Sequence, residues 1–399
     1  MLNVKKIFNI CWLLLMCIPL IPQQWVSYVI IVWGIIGLAT FDKKLFSHHR
    51  FFYFLILSSP FFLYLIQALI SNDSNDWFSV EKSNSYWIFP LIILFSKFIP
   101  EGKNADQLQL IFVFSIVGIA ILSCVYFIIN GFELYPNIPN DFFSIYRENM
   151  NRLLRIHPSY LSVMCAFSII ILFNRLHTVQ KKHPLHFILI CLLIVFMFFL
   201  SARLVWIALT ITCGLLLIIR FIRHHISWKW ILTSILIISS IIGMTLLNPR
   251  WGEFISFKQD TVQDNSLSVR AVIYTCSYKS AQKHYLVGTT TAIMKKELSD
   301  CFGESPVFRL HQFNTHNQYF DFLISFGLLG WLILFGILGL SFYIGIRDKN
   351  MLHISFVMLF IICLLGENML SRQSGLVFFM LFNTWFIAQS MNSSEKSSL

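Results

Sequence analysis

Long apolar runs dominate the chain and alternate with short polar segments, and one hydrophilic stretch, residues 248–315, is much longer than the others. A helix needs about 20 apolar residues to cross the hydrocarbon core of a bilayer, and the runs recur at about this length. The pattern predicts an all-α polytopic membrane protein with about twelve transmembrane helices. The predicted spans are 7–22, 25–41, 51–70, 86–100, 108–130, 157–174, 185–200, 203–222, 229–247, 317–345, 352–367 and 373–390.

The same pattern divides the chain into four parts. They are helices 1–9 in residues 1–247, a large loop between helices 9 and 10 at 248–316, helices 10–12 in 317–390, and a tail at 391–399. Within the loop, apolar and basic side chains interleave from Ser266 to His284, which predicts an amphipathic helix. Gly288 indicates a break after that helix.

Composition supports the membrane assignment and excludes an ordinary soluble domain. Hydrophobic residues make up 57% of the chain and charged residues 12%, with a mean hydropathy of +0.70, whereas soluble domains carry about 25% charged residues. The first segment resembles a signal peptide, with Lys5 and Lys6 before an apolar run to Leu20. No small-x-small cleavage site follows, so we expect this segment to be retained as the first span.

The distribution of charge predicts the orientation. Twelve spans put both termini on one side, and the loops on that side carry sixteen of the thirty Lys and Arg residues but only five of the nineteen acidic ones. The whole net charge of +11 then lies on one face, which the positive-inside rule assigns to the cytoplasm. The basic balance thus reflects topology, and we expect no nucleic-acid partner.

Seven of the nine cysteines lie in predicted spans, and the other two, Cys276 and Cys301, lie in the large loop. A pair in an oxidising compartment is compatible with one disulfide. Two unrelated buried thiols are the alternative.

Two arginines and one histidine near the predicted outer boundary carry the candidate chemistry. Arg203 lies in a tight turn between spans, Arg270 on the predicted loop helix, and His316 directly before the tenth span. Each also has a structural explanation. Arg203 can be an arginine that snorkels to the membrane interface, Arg270 can lie on a solvated helix face, and His316 can be hydrogen-bonded to the loop. If the loop folds back over the bundle, the three side chains meet. Arginines then suit a phosphate, and a histidine can take a proton from a hydroxyl.

Several weaker candidates lie nearby. Asn317 and Asp321 follow His316, and Asp321 can orient the imidazole or cap the helix N-terminus, of which we favour the cap. Glu367 and Arg372 flank the last outer turn, where a mutual ion pair is the simpler explanation. His157 precedes the proline that opens the sixth span, and a structural histidine is the favoured interpretation there.

Four motifs together resemble the superfamily of O-antigen ligases and O-antigen polymerases, which are bacterial inner-membrane glycosyltransferases. Each motif is degenerate, but their order, their spacing and the twelve-span topology are together fairly specific, and the match covers about residues 200–375. The motifs are SARLVWIAL at 201–209, SLSVRAVIY at 266–274 with HYLVGT at 284–289, THNQYFDFLISFGLLG at 315–330, and GENMLSRQSG at 366–375.

This resemblance implies a glycan linked to undecaprenyl diphosphate as the donor, with Arg203 and Arg270 on the diphosphate and His316 as general base on the acceptor hydroxyl. It also implies an inverting transfer at the periplasmic face of the inner membrane. We expect no metal or other cofactor, because the sequence has no Asp-x-Asp pair at an outer span edge and no His/Cys cluster with ligand spacing.

Three activities fit this resemblance. A ligase moves the glycan to lipid A core, a polymerase moves it to another lipid-linked repeat unit, and a transporter or flippase only carries it across the membrane. One dominant outer loop favours the ligase, and the absence of mid-span charges and of internal repeats disfavours the transporter. Arg147, Arg152 and Arg155, in the second outer loop, are candidates for binding an anionic acceptor, or they form a solvated basic segment.

Overall fold

The computed structural model describes residues 2–130, 142–178, 184–223, 234–235, 238–243, 246, 266–303 and 313–397, and helices form the regular structure of these residues. In chain order the helices are α1 (Leu2–Met16), α2 (Gln23–Leu38), α3 (His48–Ser71), α4 (Ser74–Ser83), α5 (Ser85–Phe95), α6 (Gly102–Asn130), α7 (Phe142–Leu154), α8 (Pro158–Thr178), α9 (Pro184–Leu200), α10 (Arg203–Arg223), α11 (Ser266–His284), α12 (Thr291–Phe302), α13 (Gln318–Arg347), α14 (Met351–Cys363) and α15 (Gln373–Ser397).

The prediction of a helical membrane protein is confirmed. Every predicted span except 229–247 overlaps a described helix, and 229–247 lies mostly outside the described residues. Within the described part of the chain, five helices are long and apolar enough to cross a membrane, namely α3, α6, α8, α13 and α15, while α2, α9, α10 and α14 are apolar but shorter. The total of twelve spans stays a prediction.

Two predicted spans end earlier than expected. The span predicted at 86–100 ends at Phe95, because Ser96 has an extended backbone. The span predicted at 352–367 ends at Cys363, and the chain then turns. The Leu364 carbonyl accepts a hydrogen bond of 2.9 Å from the backbone N–H of Gln318. A free N–H group at the start of α13 thus pairs with a free carbonyl at the end of α14. At the other end of the chain, α15 continues through most of the predicted tail.

Helices α8 and α15 form the centre of the bundle. Of their apolar windows, 83% and 89% are buried, whereas only 28% of the α3 window is buried. The exposed apolar side chains of α3 therefore lie at the perimeter, where a lipid bilayer is the solvent that suits them.

The described part of the large loop forms two helices that pack together. Helix α11 spans Ser266–His284, as the sequence predicts, and a disulfide joins its Cys276 to Cys301 of α12, with the Cα atoms 5.7 Å apart. Ile273, Leu298 and Ile324 are buried in a small hydrophobic cluster that this helix pair shares with α13. The loop thus carries its own core and rests on the bundle.

The segment between α11 and α12 crosses α13 in direct backbone contact. Gly288 and Gly327 both have positive φ, +84° and +64°, and Gly327 kinks α13. A Cβ atom on Gly288 would overlap the Ser325 carbonyl, and one on Gly327 would overlap the Leu286 carbonyl. A hydrogen bond of 2.8 Å from Thr289 N to Ile324 O completes the crossing. Only glycine fits both the backbone angle and the space.

Substituting either glycine should therefore destabilise the protein. Gly327→Ala and Gly288→Ala place a side chain at positive φ, which costs about 1–2 kcal/mol per residue before the overlap is counted. We expect a lower unfolding temperature for each purified variant. Gly336→Ala is the matched control, because Gly336 lies on the same helix with open space around it. Equal unfolding temperatures for Gly327→Ala and Gly336→Ala would contradict the role of the crossing.

Candidate functional site

The site is built around the carboxylate of Glu367, in the turn that follows α14. Arg270 Nη2 lies 3.2 Å from Glu367 Oε1, and His316 Nδ1 lies 3.4 Å from Glu367 Oε2. The Ser159 hydroxyl also donates to Oε1, at 3.4 Å. Helices α8 and α11 and the residue that precedes α13 thus meet at one carboxylate.

Glu367 is largely buried, with 12% of its side chain exposed. Burial alone raises the pKa of this carboxyl, but the contact with His316 and the charges of His316, His157 and Arg270 outweigh it and leave the pKa below its usual value. The carboxylate is therefore ionised at neutral pH.

The backbone before α13 presents His316 to this carboxylate. His316 has a left-handed φ of +44°, and its N–H donates to Asn314 Oδ1 at 3.0 Å. Among the described residues, no atom hydrogen-bonds to its buried Nδ1, and Glu367 Oε2, 3.4 Å away, is its charged neighbour. The side chain is 23% exposed, which leaves the ring partly accessible to a substrate.

Helix α11 carries Arg270 over the same turn. One helical turn after Arg270, the Tyr274 hydroxyl donates to the Leu365 carbonyl at 2.7 Å and lies 3.4 Å from the His316 carbonyl. The Arg270 side chain is 38% exposed, so its guanidinium contacts Glu367 on one side and solvent on the other. The loop therefore folds back over the bundle, because Arg270 of the loop and His316 share one partner, Glu367.

Arg203 opens α10 at the edge of the same site. It is half-buried, and the preceding Ser201 has a left-handed φ of +51°. A Cβ atom on Gly366 would overlap the Leu204 side chain and would lie 3.6 Å from Arg270 Nη1, so the first turn of α10 packs beside Arg270. The positive end of the helix dipole disfavours a cation at this position and favours an anion.

The prediction that Asp321 caps α13 is wrong. Asn317 is the N-cap, and its Oδ1 accepts from the N–H groups of Tyr319 and Phe320. Asp321 instead accepts from Asn368 Nδ2 at 2.9 Å and from the Ser371 hydroxyl at 2.7 Å. An amide one position before the first helical residue reaches the free N–H groups, whereas a carboxylate one turn inside the helix points past them.

The simple ion pair between Glu367 and Arg372 is also wrong. Glu367 contacts Arg270 and His316, while Arg372 is exposed. His157 acts structurally at the start of α8, because its Nδ1 accepts from the Ser159 N–H at 3.3 Å. It also borders the site, since its charge lowers the pKa of Glu367.

Three contributors to the site were not singled out from the sequence. Tyr274 could have been found from its spacing, one turn beyond Arg270 on a predicted helix. Ser159 and Asn368 carry no such signal, because a hydroxyl or an amide at a helix end is ordinary in a membrane protein. Asn368 hydrogen-bonds to Thr315, which begins the THNQYF motif, and to Asp321, which directly follows it. It therefore joins both ends of this motif to the last outer turn.

Two of the three arginines singled out in the second outer loop are engaged elsewhere. Arg152 forms an ion pair of 2.9 Å with Glu148 on its own helix, and Arg155 donates to Gln24 at 2.7 Å. Over the described ranges, no group of three or more His, Cys, Asp or Glu side chains is placed to hold a metal ion.

No curated protein matches the chain. The family model described as O-antigen ligase matches residues 187–335, which contain most of α9, the whole of α10, α11 and α12, Arg203, Arg270, His316 and the first half of α13. This part of the chain is similar to that family, which supports the resemblance to the O-antigen ligase-like superfamily.

Proposed function

We propose that the protein is a glycosyltransferase that moves a glycan from undecaprenyl diphosphate to a hydroxyl group of lipid A core, as an O-antigen ligase does. The observation that carries this proposal is the meeting of Arg270 and His316 at Glu367, beside the helix that Arg203 opens. The cluster combines two cations for a diphosphate with one base for a hydroxyl. The family match supports the general class of activity.

The proposed reaction is a single displacement. The acceptor hydroxyl loses its proton to His316, its oxygen attacks the anomeric carbon, and the bond from that carbon to the diphosphate oxygen breaks. The electron pair leaves on undecaprenyl diphosphate, and attack opposite the leaving group inverts the anomeric configuration. Arg203 and Arg270 stabilise the added charge on the leaving group as fixed cations in a partly dry site.

Glu367 is proposed to position the base and not to react. Its carboxylate lies 3.4 Å from His316 Nδ1 and is ionised, so it favours the tautomer of the neutral imidazole that carries its proton on Nδ1. The lone pair is then on Nε2, which is the nitrogen free to take the acceptor proton. After the transfer, the carboxylate stabilises the imidazolium.

We further propose that no metal ion takes part, because two arginines supply the charge that a divalent ion would otherwise supply. The proposed location is the bacterial inner membrane, with both termini cytoplasmic and the site at the periplasmic face. Two observations support this orientation: the basic loops gather on the opposite face, and a disulfide in the large loop suits an oxidising compartment.

Removing the proposed base or either proposed diphosphate ligand should abolish most transfer. We expect His316→Ala to lower the rate by about 10²–10⁴-fold, and Arg203→Ala or Arg270→Ala by about 10²–10³-fold. The measurement is glycan transfer by purified protein in lipid nanodiscs. Lys279→Ala is the control, because Lys279 is an exposed cation on the same helix as Arg270.

Near wild-type transfer by His316→Ala or by the arginine variants would overturn these assignments. The same assay with excess EDTA should keep its wild-type rate, and a loss of transfer that Mg²⁺ restores would overturn the metal-independent mechanism.

Glu367→Gln keeps the size of the side chain and removes its charge. General base catalysis contributes a rate factor of about 10²–10⁴, and a misoriented base loses much of it. We therefore expect kcat to fall by about an order of magnitude or more. An unchanged kcat would show that Glu367 is only structural.

The ligase and the polymerase differ in their acceptor, and a deletion strain separates them. Without a ligase, lipopolysaccharide should carry no O-antigen on its core, since no glycan reaches lipid A. Without a polymerase, a single repeat unit should remain attached. Gel banding of the extracted lipopolysaccharide is the measurement, and the single-repeat pattern would replace the ligase proposal with the polymerase. Loss of O-antigen from the core together with glycan trapped on the cytoplasmic side would favour a transporter.

A further inference from the structure

A polar cavity lies near the cluster of Glu367, Arg270 and His316. One hydrogen-bonded side chain, that of Asn368, lies between the two. The cavity has a volume of about 100 Å³ and lies where α3, α4, α12, α13 and the last outer turn meet. A single water needs about 10–15 Å³ measured in this way, so the cavity has room for several hydroxyl-sized groups. Its lining includes Ser79, Lys82, Thr291, Asp321 and Ser371.

Hydrogen bonds between two outer segments hold the walls of this cavity in place. Asp76 of α4 is buried, and its Oδ1 accepts from the Thr291 N–H at the start of α12 at 3.0 Å. The Ser71 hydroxyl donates to Asp76 Oδ2 at 2.6 Å, and Lys295 donates to Asn75 at 3.1 Å. The cavity is therefore a built feature of the outer face and not a gap between mobile loops.

The inner wall of the cavity offers unused hydrogen-bonding capacity. The buried Asp321 carboxylate accepts from Asn368, Ser371 and Gln318, while a carboxylate has about four acceptor positions. An acceptor position of Asp321 therefore remains for a hydroxyl group of a ligand.

The mouth of the cavity is cationic. Lys82 is half-buried, with its ammonium group 3.7 Å from the centre of the Phe78 ring. Arg372 directly follows Ser371 of the lining and has an exposed side chain, and its charge acts on both Lys82 and Asp321. No ion pair joins either cation to a carboxylate in the part of the chain that the structure describes. These two cations can therefore bind an anionic group of a ligand.

The cavity is connected to the proposed base through one side chain. Asn368 donates to Asp321 at 2.9 Å and to Thr315 at 2.8 Å. It directly follows Glu367, and Thr315 directly precedes His316. A sugar in the cavity would therefore lie beside the bond that is formed or broken, within the reach of one or two sugar units.

We propose that this cavity binds one acidic sugar residue of a glycan substrate, with its carboxylate or phosphate on Lys82 and Arg372 and its hydroxyl groups on Asp321, Ser371 and Thr291. This inference rests on the proposed glycan transfer and adds a specificity site to it. The acidic residue can belong to the acceptor or to the donor glycan, and kinetics distinguish the two sources.

The test compares Lys82→Met and Arg372→Met with Lys82→Arg and with Lys296→Met. Lys296→Met is the matched control, because Lys296 is an exposed cation on α12 that does not line the cavity. The probes are core lipopolysaccharide and undecaprenyl-diphosphate glycan, both purified from the deletion strain, each used as isolated, after dephosphorylation, and after amidation of its carboxyl groups. KM and kcat are measured for the two substrates separately.

We expect Lys82→Met and Arg372→Met to raise KM about 10- to 100-fold for the substrate that carries the acid, which is the usual weight of one charged hydrogen bond. The value of kcat should stay within about twofold in both variants, and Lys82→Arg should restore KM. Removing the acidic group from that substrate should raise the wild-type KM and abolish the difference between wild type and Lys82→Met.

Unchanged KM values for both substrates in both variants would overturn the cavity proposal, while His316→Ala still tests the proposed function independently. If the wild type transfers glycan and His316→Ala does not, the proposed function holds and only the cavity proposal fails. If the wild type and His316→Ala are equally inactive, the proposed function fails and the cavity proposal fails with it.

Discussion

The candidate site depends on one constraint, the burial of the Glu367 carboxylate. A carboxylate that is 12% exposed loses most of its hydration and must recover it from neighbouring groups. Arg270, His316 and Ser159 supply those groups from segments that are far apart in the chain. Because breaking a buried ion pair leaves an uncompensated charge, the position of each segment is tied to the others.

The same carboxylate would compete with the proposed donor for Arg270. Glu367 holds one side of the guanidinium, while the other side remains open to solvent. A diphosphate brings more negative charge than one carboxylate and offers the bidentate geometry that arginine prefers. The start of α10 adds the positive end of a helix dipole at the place where Arg203 lies. A bound donor would thus draw Arg270 outward and leave Glu367 to His316, which couples donor binding to the orientation of the base.

The sequence predicted features that depend on neighbours along the chain, and it missed those that depend on distant ones. Apolar length and periodicity are local, so the spans and α11 were predicted closely. The partners of Glu367 lie 97 and 51 residues before it, and no local pattern records such contacts. The prediction of a Glu367–Arg372 pair failed because it chose the nearest opposite charge in sequence. Asp321 was misassigned for a related reason, since Asn317 competes for the same N–H groups and lies closer to them.

The contacts that hold the large loop on the bundle do not involve the charged side chains of Glu367, Arg270 and His316. The glycine crossing at Gly288 and Gly327 is made of backbone atoms, and the disulfide of Cys276 ties the two loop helices covalently. Neither contact changes when a substrate enters or a proton moves. The charged side chains can therefore exchange partners during a reaction cycle while α11 stays in place. A loop held only by Arg270 and Glu367 would detach if a diphosphate took the arginine, so anchoring by uncharged contacts would leave Arg270 able to bind the proposed donor.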